Sequence, residues 1–231
     1  MTFDAAAAMK NSDVIIGYKT YLDLIPEFLE GKEVVSSQMM KEVDRSREAL
    51  KLAEEGKTVS LVSGGDPGIY AMAGLVLQLA QKTECKCKIE IIPGLAAVNS
   101  CAARLGAPLM HDFAAVSLSD LLTPLELIYK RLDAVAGADF VVAIYNPRSK
   151  KRTEQIVKAR EIFLKYRSPE NVVGIVTNAT RDNETIILTT LDKMLEEEIG
   201  MQSTVIIGNS QTYRWGDLLV TPRGYGKKYE M

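Results

Sequence analysis

The sequence predicts an α/β protein built as two αβα domains with a ligand cleft between them, and three observations carry that reading. Short Val- and Ile-rich segments alternate with amphipathic helical segments along the chain. Several of those short segments are apolar on both faces, as strands of a parallel sheet covered by helices on each side would be. The alternation breaks at PLMHDFAAVSLSDLLTP, residues 108–124, with strands on either side of the break. The expected domains are 1–112 and 113–231.

In chain order, the strand candidates are DVIIGY (13–18), TVSLV (58–62), KIEIIP (88–93), AAVSLS (114–119), DFVVAIY (139–145), NVVGIV (171–176), ETIILTT (184–190) and STVIIG (203–208). Between them, QMMKEVDRSREALKLAEEGK (38–57) places Met39, Val43, Leu50 and Ala53 near one helical face and ends at Gly56, a helix breaker. SKKRTEQIVKAREIFLKY (149–166) repeats the design, with Ile156, Ala159, Ile162 and Phe163 inward. No internal repeat or low-complexity segment interrupts the pattern.

Composition narrows the function classes. A chain of 231 residues with 47% hydrophobic content can bury a sizeable core. The net charge of −2 gives no overall attraction to nucleic acid or anionic membranes, so neither is expected as a partner. No apolar run approaches the roughly 18 residues that span a bilayer. The segment MTFDAAAAMKNSD has no basic stretch followed by an apolar one, and a cytoplasmic location is expected. Cys85, Cys87 and Cys101 with the single His111 are too few soft ligands for zinc, so no protein-bound metal is expected. Cys85 and Cys87, in KTECKCKIE, read as reduced loop thiols.

The chemistry concentrates in turns at strand ends. VSLVSGGDPGIYAMAG (59–74) runs from a strand through Gly64, Gly65, Asp66, Pro67 and Gly68 into a helix. The glycines allow close approach to the main chain, and Pro67 stiffens the turn. The Gly-Lys-Ser/Thr ending of a P-loop and the spaced glycines of a dinucleotide fold are both absent. Asp66 would repel a phosphate; it suits the donors of an ammonium or hydroxyl group. Its alternative role is as N-cap of the following helix. IIPGLAAVNSCAARLGAPL (91–109) repeats strand, Pro-Gly, helix, and AIYNPRS (143–149) sets Asn146 and Pro147 after an apolar strand. In open parallel sheets, ligands bind at that edge.

SGGDPGIYAMAG, IPGLAAVNSCAARLGAPLMHDFAAVSLSDLLTP, AIYNPRSKKR, VTNATRDNET and STVIIGNSQTY, in that order, resemble the tetrapyrrole methylases. Within that family they are most similar to the enzymes that methylate C17 of precorrin-3B or cobalt-factor III in cobalamin biosynthesis. The resemblance runs from Met1 to TPRGYGKKY. It implies two α/β domains holding S-adenosylmethionine in the cleft, commonly as a homodimer. Carried over by motif, the cofactor-binding residues are Gly64, Gly65, Asp66, Ile69, Tyr70, Ala96, Ala97, Asn146, Ala179, Ser203 and Thr204. The implied reaction is transfer of the sulfonium methyl to the macrocycle with ring contraction, which asks the protein mainly to align reactants and exclude water.

His111 and Asp112, in MHDF, are the candidates for a general acid or base; His111 holds the only imidazole. The other reading of His111 is a hinge histidine bonded to backbone. A tetrapyrrole substrate carries many carboxylates, so cations are needed. In YNPRSKKRTEQ a helix is expected from Ser149, with Arg148, Lys150, Lys151 and Arg152 crowding its positive end, where an anion would explain them. Lys150 and Lys151 read as a solvated face. Arg148 is the preferred substrate contact, with Arg104, Ser117 and Ser119 beside it and Arg181 and Arg223 weaker.

Family members begin with a strand and a Gly-Xaa-Gly-Pro-Gly loop ahead of the helix on which this sequence starts. That strand is expected inside the first sheet, its loop lining the substrate cleft. The alternatives are methylation at another corrin position or of a diphthamide precursor, and a ligand-binding form without turnover; HDFAAVSLSDLLTP favours C17. A nicotinamide or nucleotide enzyme is disfavoured by the missing phosphate signature.

Overall fold

The computed structural model describes residues 1–230. The chain forms two compact units, Met1–Ala96 and Ala97–Met231. The division falls ahead of the expected 112/113, because the helix Ala97–Leu105 packs on strands of the second unit.

The first unit contains α1 (Phe3–Asn11), β1 (Val14–Tyr18), α2 (Lys19–Leu22), β2 (Glu33–Ser37), α3 (Glu42–Glu54), β3 (Val59–Val62) and α4 (Ala73–Lys82). Its sheet, ordered β2-β1-β3, is parallel throughout. Thr2 caps α1 by accepting from the Ala5 N–H, with Asp4 in the first turn and Lys10 in the last, each at the end its charge suits. Alternation along β1 then serves two cores. Ile15 packs with Met9, Leu22, Ile25 and Phe28, while Val14 and Ile16 pack with Ala49 and Leu52 on the other face.

Three expectations change here. β2 carries too short an apolar run, EVV, to stand out in the sequence. α3 starts at Glu42, leaving Met39 outside it and exposed, Val43 exposed as well, and Arg45, Ser46, Ala49, Leu50 and Leu52 as the buried residues. The buried Arg45 guanidinium is satisfied by Ser37 Oγ and Gln38 O, a pairing no hydrophobic period reveals. Residues 88–93 join no ladder among the described residues. A strand needs a neighbour to pair with, and local alternation does not supply one.

The second unit contains α5 (Ala97–Leu105), β4 (Gly106–Ala107), β5 (Phe113–Ser117), α6 (Leu125–Gly137), β6 (Val141–Tyr145), α7 (Glu154–Leu164), β7 (Val172–Thr177), β8 (Thr185–Thr190), β9 (Ser203–Ile207), β10 (Tyr213–Trp215) and β11 (Leu218–Val220). The main sheet runs β5-β6-β9-β7-β8. Only β5 and β6 are parallel; the β6–β9, β9–β7 and β7–β8 pairs are antiparallel, which corrects the expectation of a parallel sheet. Burial on both faces made these strands read alike whatever their direction. On one face Val142, Ile144, Val173, Ile175, Val205 and Ile207 pack with Ile128 and Leu132 of α6 and Ile156, Ala159, Ile162 and Phe163 of α7. Toward α5, a Cβ on Gly174 would stand 2.5 Å from Leu105, so the absent side chain lets helix and strand meet. β10, β11 and β4 form a second, small sheet whose strands of two or three residues are too short for a period.

Candidate active site

In the first unit, the Gly-rich turn follows β3 and is closed by Asp66. One carboxylate oxygen accepts from the Gly68 N–H at 2.8 Å, the other from the Gly94 N–H at 3.1 Å. Asp66 therefore does not cap α4, which starts at Ala73 with Met72 at its N-cap; it ties the GGDPG turn to the Pro93-Gly94 turn. Gly94 is required for that contact, since a Cβ there would lie 2.0 Å from Gly65 O. Thr2 Oγ1 donates to Pro93 O at 3.1 Å and fastens the second turn to the start of α1.

Gly65 has φ 76° and is exposed, Ile69 and Tyr70 are exposed, and Ala96 is buried. Tyr70 itself adopts φ 53°, a left-handed conformation that costs a bulky residue about 1–3 kcal/mol. The result is an accessible main-chain surface, of the kind that can serve the ammonium, carboxylate and hydroxyl groups of an amino-acid nucleoside.

A second constellation lies in the second unit, after the carboxyl ends of β5 and β6. Asn146, at φ 49°, donates from Nδ2 to Ser117 Oγ at 3.0 Å, and that oxygen also accepts from the Ser119 N–H at 3.2 Å. Arg152 closes the ring: Nη2 donates to Asn146 O at 3.0 Å and Nη1 to Ser119 Oγ at 3.4 Å. Its Nε is buried with no hydrogen-bond partner. Pro147 is buried beneath the turn, and Ser149 and Arg152 exchange main-chain hydrogen bonds. Next to it, Tyr145 Oη accepts the Val98 N–H at 2.9 Å, which docks the start of α5, where Ala97 is half-buried, onto β6.

α7 begins at Glu154, not Ser149, so the basic run precedes the helix and Glu154 occupies its first turn. The charge violation invoked for a bound anion is therefore not present. Arg148 is exposed and forms no ion pair among the described residues, whereas Arg104 pairs with Glu184 at 2.9 Å. By composition Arg152 belongs to the same charge run as Arg148, Lys150 and Lys151. Its spacing sets it apart: six residues after Asn146, it folds back over the Asn-Pro turn.

Ala179 is half-buried in the β7–β8 connection, between Asn178 and Thr180, both with positive φ. Ser203 is buried, its hydroxyl 2.7 Å from Thr177 Oγ1 and accepting from the Gly200 N–H. Thr204 is buried and hydrogen-bonds the Cys101 thiol, whose pKa burial raises. His111 Nδ1 accepts from the Asp112 N–H at 2.9 Å and stands 3.7 Å from its exposed carboxylate. Both precede β5, while Ser117 ends it. β5 itself, four rises of about 3.3 Å, separates Phe113 from Ser117 by about 13 Å, and His111 and Asp112 lie before its first residue. The structure thus groups Ser117, Ser119, Asn146 and Arg152, and sets His111 and Asp112 at the other end of the sheet.

The family model for the Tetrapyrrole (Corrin/Porphyrin) Methylases matches residues 1–195. The chain belongs to the tetrapyrrole methylases. Across all of its length it is 53% identical to the cobalt-factor III methyltransferase of Priestia megaterium, of which it spans only 44%. It is 44% identical to the probable cobalt-factor III C(17)-methyltransferase of Salmonella typhimurium, covering 97% of this chain and 93% of that protein. Among solved structures, the methyltransferase CobJ superposes with a TM-score of 0.91 at 36% identity, over 96% of this chain and 93% of that one. Among the described residues, no helix is long and apolar enough to cross a membrane.

Proposed function

We propose that this tetrapyrrole methylase transfers the methyl group of S-adenosylmethionine to C17 of cobalt-factor III or precorrin-3B, with ring contraction, in cobalamin biosynthesis. The observation that carries the proposal is the end-to-end likeness to the Salmonella relative. Any cobalt belongs to the substrate.

S-adenosylmethionine, when bound, supplies an electrophilic methyl on sulfonium. The proposed contacts to it are Gly64, Gly65, Asp66, Ile69, Tyr70, Ala96, Ala97, Asn146, Ala179, Ser203 and Thr204. Asp66 acts by fixing two turns so that their main-chain groups are presented without reorganisation, the condition under which alignment lowers a barrier. Ser203 and Thr204 act through shape and main chain, their hydroxyls being committed within the fold. Ser117 and Ser119 hold the Asn-Pro turn toward the substrate. Arg148 is the proposed cation for a substrate carboxylate, unpaired among the described residues and next to that turn. His111 and Asp112 remain the proposed proton-transfer pair for ring contraction and lactone chemistry. Assembly as a homodimer in the cytoplasm completes the proposal.

Calorimetric titration of the 231-residue chain with S-adenosylhomocysteine tests the cofactor assignment. Saturable one-site binding is expected, with NAD and ATP giving no heat; a folded chain that binds NAD and not S-adenosylhomocysteine would overturn it. Sedimentation at micromolar concentration reads the assembly, with a dimer expected.

A further inference from the structure

We infer that Cys85 and Cys87 form a dithiol site that small disulfides oxidise to an intra-loop disulfide. α4 ends at Lys82, and the chain reverses at Glu84, at φ 53°, where the Cys85 N–H returns to Ala80 O at 3.0 Å. Lys86 N–H donates to Glu54 Oε1, at the end of α3, at 3.3 Å. The residue between the two cysteines is thereby held by its main chain, with a cysteine on either side of it. The sulfurs stand 2.8 Å apart, against about 2.05 Å in a disulfide. Closing the bond asks for a side-chain rotation and no movement of distant backbone.

Access separates this pair from the third cysteine. Cys85 and Cys87 are partly exposed, while Cys101 is 2% exposed on α5. Among the described residues no group of three or more His, Cys, Asp and Glu could hold a metal ion. Two thiols without further ligands suit exchange chemistry better than a closed metal site. Burial, and then the hydrogen bond with Cys85, push the Cys87 thiol up to about 11, which disfavours Cys87 as the first attacking thiolate.

The Cys85 sulfur, losing its proton, attacks one sulfur of a small disulfide; that S–S bond breaks and one half leaves as thiolate, which takes up a proton. The Cys87 sulfur, losing its proton, then attacks Cys85 Sγ and expels the second half as thiol. The protein gives up two protons and two electrons, and the small disulfide is reduced to two thiols.

The test is incubation of the folded chain with oxidised glutathione, followed by intact mass and peptide mapping. The expected product is lighter by two hydrogens, carries the Cys85–Cys87 bond, and regains its mass with dithiothreitol. Cys101→Ser should behave the same. Cys87→Ser should stop at one glutathione on Cys85, because its resolving thiol is missing. A chain that stays fully reduced, one that gains glutathione on both cysteines, or one joined to a second copy through either cysteine would overturn the inference.

Discussion

Asp66 does more with its position than with its charge. Both oxygens accept main-chain N–H bonds, one within its own turn and one from Gly94. Replacing it by Ala leaves two donors to seek water and lets the turns separate, at about 1–3 kcal/mol for an unsatisfied group. Asp66→Ala should therefore weaken S-adenosylhomocysteine binding about tenfold or more by calorimetry, about 1.4 kcal/mol; unchanged affinity in a folded variant would remove the assignment. Arg152 plays the equivalent part for the Asn-Pro turn. Arg152→Ala should lower kcat/KM about tenfold, with Arg152→Lys restoring part of it, since one ammonium can reach only one of the two acceptors; steady-state kinetics with both variants decides. Glu184 adds a pH dependence. The Thr180 N–H first, and Arg104 second, hold its carboxyl below the ordinary 4.5. The proton is bound more weakly in the folded chain than in the unfolded one, so the stabilisation is complete above the ordinary value and disappears as pH falls through the lower folded value. The stability difference between wild type and Glu184→Gln should be flat near neutrality and shrink below about pH 4.5 in acid denaturation curves.

At the scale of elements, Arg167 joins the end of α7 to two strands. Its side chain is 2% exposed, and its guanidinium donates to Gly208 O and Phe140 O and lies over the Phe163 ring at 4.8 Å to the centroid. Burial lowers its pKa to about 10, with Asp139 opposing the shift, so it stays charged at neutral pH. Removing it leaves the Phe140 carbonyl without its donor and empties a buried space beside the Phe163 ring, while Gly208 O keeps Asn171 Nδ2 and the Asp139 carboxylate keeps Ser210. Arg167→Ala should cost about 3 kcal/mol, roughly 6–12 °C in Tm for a chain of this length, with Arg167→Lys recovering less than half; differential scanning calorimetry reads both. Nothing in a hydrophobic period announces such a residue. The same limit explains what was legible among the elements. Ile156, Ala159, Ile162 and Phe163 declared the inner face of α7, because burial leaves a 3.6-residue trace. β2, β4, β10 and β11 left none, being short edge or small-sheet strands. Strand direction in the second sheet was illegible because double-sided burial looks the same parallel or antiparallel, and residues 88–93 show that alternation cannot create a ladder partner.

For the whole molecule, the succession of turns was more legible than the geometry behind them. The ordered motifs pointed to the tetrapyrrole methylases, and the family match over residues 1–195 agrees. How the turns are held was not in the pattern: Asp66 reaches Gly94, and Arg152 reaches Asn146 and Ser119, through contacts fixed only once strands and helices have packed. His111 drew attention by its chemical type, and the fold sets it at the opposite end of β5 from the Asn-Pro turn. The central claim concerns the reaction, and the most direct measurement is incubation of the chain with cobalt-factor III and methyl-13C S-adenosylmethionine, followed by 13C NMR and mass spectrometry of the product. The account predicts one labelled methyl, on C17, in a ring-contracted macrocycle. A label on another carbon, or none from a folded chain that binds S-adenosylhomocysteine, would contradict it.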